Sequence, residues 1–309
     1  MMEFYANLHN HTTHSDGVYA PGEIVKVAKE EGYSAIAITD HDAATGYPEL
    51  LEACRKENME CIFAVEFSVL YKDRGCHIVA FDFDPEYPPM KEYLRKMGAR
   101  QTDNTKKCFD ESVAEGDISG VTWEEIEEAN KGVIWLCNNH VFKVMKKKGI
   151  VSQENYMPWF RKNFGARGGK YPPLYPFNNL PDMVKLIKEA GGFAVIAHPT
   201  DANLEDMEYL IECGIEGLEV WHPDLDEEQR IRAYKIALEK NLYISGGSDH
   251  SGFCGGLYDS FPTEEELKKS YNYIEPFSVG TTKEYFREIK ERKLNMEYRE
   301  QQKKLLGMV

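Results

Sequence analysis

The chain has 309 residues, 42% of them hydrophobic, and 52 Asp and Glu against 37 Lys and Arg give a net charge of −15 with His neutral. That composition fills a sizeable core and excludes a disordered or fibrous chain, while the acidic balance excludes the large basic face that duplex nucleic acid requires. No apolar run approaches the roughly 20 residues that span a bilayer, and the N-terminus has neither the basic nor the apolar region of a secretion signal. Seven Cys, at 54, 61, 76, 108, 137, 213 and 254, form no CxxC pair, so a disulfide framework and a zinc knuckle are both set aside. The expectation is a soluble cytoplasmic protein with no membrane partner.

In chain order, short apolar or β-branched runs predict strands at Phe4–Leu8, Ser34–Thr39, Cys61–Val65, Ile78–Phe83, Phe193–Ala197, Ile215–Trp221 and Leu242–Ser245. Helical stretches fall between them. Pro21 opens one that Gly32 closes, and others run over about 48–56, 182–190 and 226–240. Seven strands alternating with helices imply an α/β fold, a (β/α) barrel. The segment 86–181 breaks the rhythm: it holds helices, one opened by a capping box of Thr122 and Glu125, and ends in GARGGKYPPLYPF. The expected organisation is a discontinuous barrel core, 1–85 and 182–309, with 86–181 as a helical insertion over the barrel mouth. The closing stretch KEYFREIKERKLNMEYREQQKKLL predicts a charged amphipathic helix and a candidate homo-oligomer contact.

The predicted strands end in imidazoles and carboxylates. His9 and His11 follow the first, Asp40 and His41 the second, Glu66 the third, His198 the fifth, His222 the sixth, Asp249 and His250 the seventh. In α/β barrels those ends carry the site. His9 and His11, at i and i+2, share one face of an extended segment and so can chelate one ion. Glu66 follows the apolar run CIFAV, where an unpaired carboxylate is costly to desolvate, so a ligand or a salt bridge must explain it. His77 precedes its strand: either that strand starts earlier or the ligand arrives from a loop. Each group also has a plainer reading: a core His for His77 and His198, an Asx turn for Asp16, a surface His for His14, a packing or solvated helix residue for His140, and a structural role for His222 before Pro223. The glycines of GGSDHSGFCGG form no phosphate-loop fingerprint and suit close packing or a mobile loop.

Taken in order, LHNHTTHSDGVYAPGEIVKVAKEEGYSAIAITDHDAATGYPE, AVEFS, GCHIVAF, GGFAVIAHPT, GLEVWHP and GGSDHSG resemble the PHP (polymerase and histidinol phosphatase) family, and within it the stand-alone phosphoesterases that act on nucleotides. The resemblance implies a distorted seven-stranded (β/α) barrel and two or three divalent ions, Mn, Fe or Zn. It implies that His9, His11, Glu66 and Asp249 hold one ion, that Glu66 bridges to a second with His77 and His198, and that Asp16, His41 and His250 hold a third. Two departures stand out. The family's Asp-x-His is here Asp249-His250-Ser251, with the His one place early, which puts the third ion in question. Asn138 stands where relatives carry an Arg two residues before the residue matched by His140.

The implied reaction is in-line hydrolysis of a phosphate monoester by a metal-bridging hydroxide, with Glu66 central and Asp249, His250 or His222 assisting proton transfer. The implied substrate is a mononucleotide, a 3′,5′-bisphosphate nucleotide or a short oligoribonucleotide. His140, Asn138, Arg167, Lys170 and His222 are the candidate substrate contacts; solvated loop charge is the alternative for Arg167 and Lys170. Competing functions are a histidinol-phosphatase-like enzyme, an amidohydrolase-type C–N hydrolase and a non-catalytic metal-binding PHP module.

Overall fold

The computed structural model describes residues 3–249 and 279–308. Its strands form two sheets. Strands β1 (Ala6–Asn7), β2 (Ala35–Ile36) and β3 (Glu60–Cys61) make a short parallel sheet. Strands β4 (Ala64–Tyr71), β5 (Arg74–Phe81), β6 (Phe193–Ile196), β7 (Gly217–Trp221) and β8 (Tyr243–Gly246) make a mixed one in that order. Single backbone contacts join the sheet edges: a parallel bridge pairs His41 with Glu66, and Leu8 N–H donates to Gly246 O at 3.2 Å. The architecture is mixed α/β, with eight strands among the described residues where the sequence predicted seven.

The extra strand comes from one region. The run read as Cys61–Val65 is split between β3 and β4, and β4 continues through Glu66 to Tyr71 before reversing into β5. Lys72 and Asp73 make the reversal with φ of +47° and +60°, the two-residue hairpin turn whose twist matches its strands. Lys-Asp carries no Asn-Gly-type signal, so the hairpin was not legible. Because β5 runs antiparallel to β4 and β6, its early residues lie at the end where parallel strands finish. That places His77 in mid-strand, opposite Ser68.

Side-chain alternation then sorts the strands into an inner and an outer face. Ala64, Val79, Phe81, Phe193 and Val195 join Ala6, Leu8 and Phe286 in one cluster, while Val65, Phe67, Ile78, Ala80, Leu218 and Val220 pack outward with the helices. Glu66 shares the parity of Ala64, His77 that of Val79, and Glu219 alternates with Leu218 and Val220. All three polar groups therefore point inward. Among the helices, α1 (Pro21–Glu30) begins at Pro21 and buries Ile24, Val25 and Ala28, and α2 (Tyr47–Glu57) packs beside it. Each fully buried Leu, Ile or Phe in these faces contributes about 1.5–3 kcal/mol.

The long helix α3 (Pro88–Ala114) changes partners along its length. Met90, Tyr93, Leu94 and Met97 belong to the main core, whereas Cys108 and Phe109 belong to a separate core with α4 (Trp123–Ala129), α5 (Asn138–Lys147) and α6 (Tyr156–Phe160). The Thr122–Glu125 capping box opens α4 as expected. The chain then returns through α7 (Leu180–Glu189), α8 (Asp201–Glu205), α9 (Met207–Glu212) and α10 (Glu227–Glu239). The C-terminal stretch is two helices, α11 (Lys283–Glu291) and α12 (Met296–Leu305), not one. Arg292, in the left-handed region at φ +52°, makes the break. No helix among the described residues is long and apolar enough to cross a membrane, and the six described cysteines are free thiols.

Candidate metal centre

Five imidazoles converge on the carboxylate of Glu66, which is 1% exposed. His198 Nε2, His77 Nδ1 and His9 Nε2 lie 3.0, 3.2 and 3.4 Å from Oε1, and His41 Nδ1 and His11 Nε2 lie 3.1 and 3.3 Å from Oε2. Asp249 Oδ1 stands 2.9 Å from His11 Nε2 and 3.5 Å from His9 Nε2. Asp16 flanks the other side, 3.6 Å from His11 Nδ1 and 3.9 Å from His41 Nε2. The structure thus brings together eight of the nine predicted ligands; the ninth, His250, lies outside the described residues, as does Ser251.

The donor set fits divalent cations on a physical criterion. His9 Nε2, His11 Nδ1, His41 Nδ1 and His222 Nε2 are buried without a hydrogen-bond partner, a state that costs about 1–3 kcal/mol per group unless a ligand relieves it. Donors of His9, His11 and Glu66, of His11, Asp16 and His41, and of His41, Glu66 and His77 each lie within 4.8 Å of one another. Imidazole and carboxylate are the ligand types of Mn, Fe and Zn. Burial disfavours charge on His9 and His11, yet the surrounding carboxylates hold both well above the ordinary imidazole value. Burial likewise opposes ionisation of Glu66, but His9, His41 and His77 hold it well below the usual carboxylate range. It is an anion at neutral pH, as a ligand must be.

Groups outside the cluster aim its ligands. Glu219, 1% exposed on β7, accepts from His9 Nδ1 at 3.1 Å and from the His198 backbone N–H at 2.7 Å. A carboxylate on the far ring nitrogen fixes the tautomer, so His9 turns Nε2 to the centre. Asp40, 1% exposed, accepts from Thr12 N–H, Thr12 Oγ1 and Ser15 Oγ at 2.7 Å each and so shapes the loop bearing Asp16; it organises rather than ligates. Asn7 and Ser248 exchange hydrogen bonds of 2.8 and 3.0 Å across the ends of β1 and β8. Gly247 permits this closeness: a Cβ there would lie 2.3 Å from His9 N. His198 and Asp249 take φ of +27° and +50°, left-handed conformations costing of order 1–3 kcal/mol that turn both side chains off their strand directions.

The segment at the start of α5 docks on the loop that carries Asp16. His140 Nε2 donates to Thr13 O at 2.9 Å while its Nδ1 accepts from Cys137 N–H at 2.9 Å, and Lys143 Nζ donates to Val18 O at 2.7 Å. Trp135, just before α5, stacks on His41 with ring centroids 5.8 Å apart. Several expected substrate contacts are engaged by other residues of the chain. His140 is 1% exposed with both nitrogens engaged, and Asn138 bonds Tyr156 and Asn139. Arg167 is paired with Glu115 and Asp117 at 2.6 and 3.1 Å, and Lys170 with Glu111 at 2.8 Å. His222 is buried, its Nδ1 accepting from Asp224 N–H at 3.1 Å and its Nε2 lying 3.4 Å from Asp249 Oδ2. His14 bonds Thr45 Oγ1 at 2.8 Å and stands aside from the cluster.

Among the described residues, two cavities open on the centre. One of about 640 Å³ runs from His77 and His198 past Arg74, Thr200 and Asn203. The other, about 210 Å³, is bounded by Asp16, His41 and His77 and by Arg100, Trp135 and Phe177.

A family model, the PHP domain, matches residues 7–163, more than half of the chain. The chain belongs to the PHP family. Among curated PHP relatives, a 5′-3′ exoribonuclease of Haemophilus influenzae is 28% identical over 81% of this chain and 91% of its own. A 3′,5′-nucleoside bisphosphate phosphatase of Chromobacterium violaceum is 28% identical over 84% and 91%. A solved structure from Bifidobacterium adolescentis, described as a candidate metal-dependent phosphoesterase, superposes with a TM-score of 0.67 over 87% of this chain and 96% of that one at 24% identity, a likeness of fold.

Proposed function

We propose that this PHP chain is a metal-dependent phosphoesterase that hydrolyses phosphate esters of nucleotides, with the Glu66 cluster as its active centre. The observation that carries the proposal is the single buried carboxylate ringed by five imidazoles, with one buried nitrogen of each of His9, His11 and His41 making no hydrogen bond. Glu66, His9, His11 and Asp249 would hold one divalent ion, Glu66, His77 and His198 a second, and Asp16 with His41 a third. Ions bound there supply Lewis-acid neutralisation of a phosphate dianion and a water nucleophile at neutral pH.

The residues of the chain supply the remainder. Glu219 holds the His9 proton on Nδ1 and keeps Nε2 free for coordination. Because His222 Nδ1 accepts Asp224 N–H, its proton sits on Nε2, facing Asp249 Oδ2. Asp249 is the more exposed of the two, with 32% of its side chain accessible; held as an anion, it would accept the proton of the attacking water and return it to the leaving oxygen, with His222 supporting it from behind. Residues 86–181 form a cover over the mouth, a reading supported by the His140, Lys143 and Trp135 contacts to the Asp16 loop and His41. The names of the two curated relatives support nucleotides as the substrate class.

The test is phosphate or nucleotide release from a panel of mononucleotides, bisphosphate nucleotides and short oligoribonucleotides by Mn-loaded protein and by Glu66→Gln. The proposal predicts turnover that disappears in the variant. Equal rates, or no turnover with Mn, Fe or Zn, contradict it.

A further inference from the structure

Arg100 of α3 forms no salt bridge among the described residues, although the charge of Asp42 acts on it. Its guanidinium stacks over Phe177, 3.6 Å from the ring centroid, and its Nε is buried without a hydrogen-bond partner. It lines the smaller cavity together with His41 and His77 of the cluster and with Trp135. Three other arginines are paired with carboxylates: Arg167 with Glu115 and Asp117, Arg287 with Glu60, and Arg299 with Glu288. Asp42, on the same cavity, is the competing partner. Its Oδ1 accepts from Ser68 N–H at 3.2 Å, and no ion pair joins it to Arg100. Burial lowers the pKa of Arg100, and the charge of Asp42 opposes that shift.

We propose that Arg100 anchors a second phosphate of the substrate, on the His41–His77 side of the centre, and thereby selects nucleotides bearing two phosphoryl groups over those bearing one. A guanidinium held flat against Phe177 presents its remaining N–H donors as a fork, the geometry that suits phosphate. Trp135, across the same cavity, offers an aromatic face to the attached base. This role is distinct from the predicted anchors Arg167 and Lys170, whose charges are internally paired. It rests on the phosphoesterase reading of the cluster.

The experiment measures kcat/KM of the Mn-loaded enzyme for adenosine 3′,5′-bisphosphate and adenosine 5′-monophosphate, and calorimetric Kd for both ligands on chelator-treated protein. It compares the wild type with Arg100→Gln and Arg100→Lys. The expected result is a preference for the bisphosphate that falls at least tenfold in Arg100→Gln, through KM rather than kcat, with a matching loss in Kd and partial recovery in Arg100→Lys. A preference unchanged in Arg100→Gln, with only a lower melting temperature, overturns the inference and leaves Arg100 a packing residue. Wild-type protein that binds the two ligands equally, or binds neither, also overturns it. Absence of turnover with selective binding intact would instead strike the phosphoesterase reading alone.

Discussion

Two buried carboxylates sit at opposite ends of the strand layer, and their surroundings differ in kind. Glu288 on α11 is 1% exposed and faces Arg299 of α12, itself fully buried. Arg299 Nε reaches Glu288 Oε1 at 2.9 Å, Nη2 donates to Leu242 O at 2.7 Å just before β8, and Asn295 N–H donates to Glu288 Oε1 at 2.7 Å. Every strong hydrogen-bonding group of that pair has a protein partner. Glu66, just as buried, is surrounded by imidazoles with nitrogens that make no hydrogen bond at His9, His11 and His41. A closed network of this kind holds a structure together; an open one marks where a ligand completes it.

The comparison can be broken or sharpened by substitution. Glu288→Gln leaves Arg299 buried and uncompensated, which should cost about 3–5 kcal/mol in urea unfolding while the folded fraction keeps its kcat. Glu66→Gln should act in the reverse sense, lowering kcat by on the order of 100-fold or more, beyond what loss of an outer partner does. If the metal-loaded Glu66 variant loses stability but keeps activity, the two ends are not different after all. Glu219→Gln tests the outer shell: activity or metal affinity should fall about 10–100-fold, read by titration of chelator-treated protein. A smaller effect is expected from pH. Burial lowers His140 to about 4, below its ordinary value near 6.5, so the folded state favours the neutral ring. Its contribution is complete above about pH 6.5 and is lost as pH falls towards 4. Relative to His140→Gln, the wild type should therefore lose about 1–2 kcal/mol between pH 7 and pH 5.

The sequence made the clustered imidazoles and carboxylates legible because they combined a distinctive residue type with a position at an apolar run. His9 and His11 carried the spacing, and Glu66 carried the cost of a carboxylate beside CIFAV. The same cost applied to Glu219 inside GLEVW, a signal available and not used. The partners of Arg167, Lys170 and His140 were not legible for a different reason: acids at 111, 115 and 117 and the loop at Thr13 come from other segments. Arg100 and Trp135 carried no periodic or motif signal, since their placement depends on how α3 and the approach to α5 cross the mouth. In the fold, the alternation of strands and helices was visible, whereas the β4–β5 reversal rested on a Lys-Asp turn that local propensity does not announce.

Metal dependence bears most directly on the contrast between the two ends. Stripping the protein with a chelator and titrating Mn back while following both melting temperature and nucleotide hydrolysis should show activity lost and restored with the metal. The melt should rise by an amount set by saturation, about 2.7 kcal/mol at 100 times Kd, in the wild type and far less in Glu66→Gln. A wild-type melt and activity indifferent to chelation would contradict a metal-centred phosphoesterase.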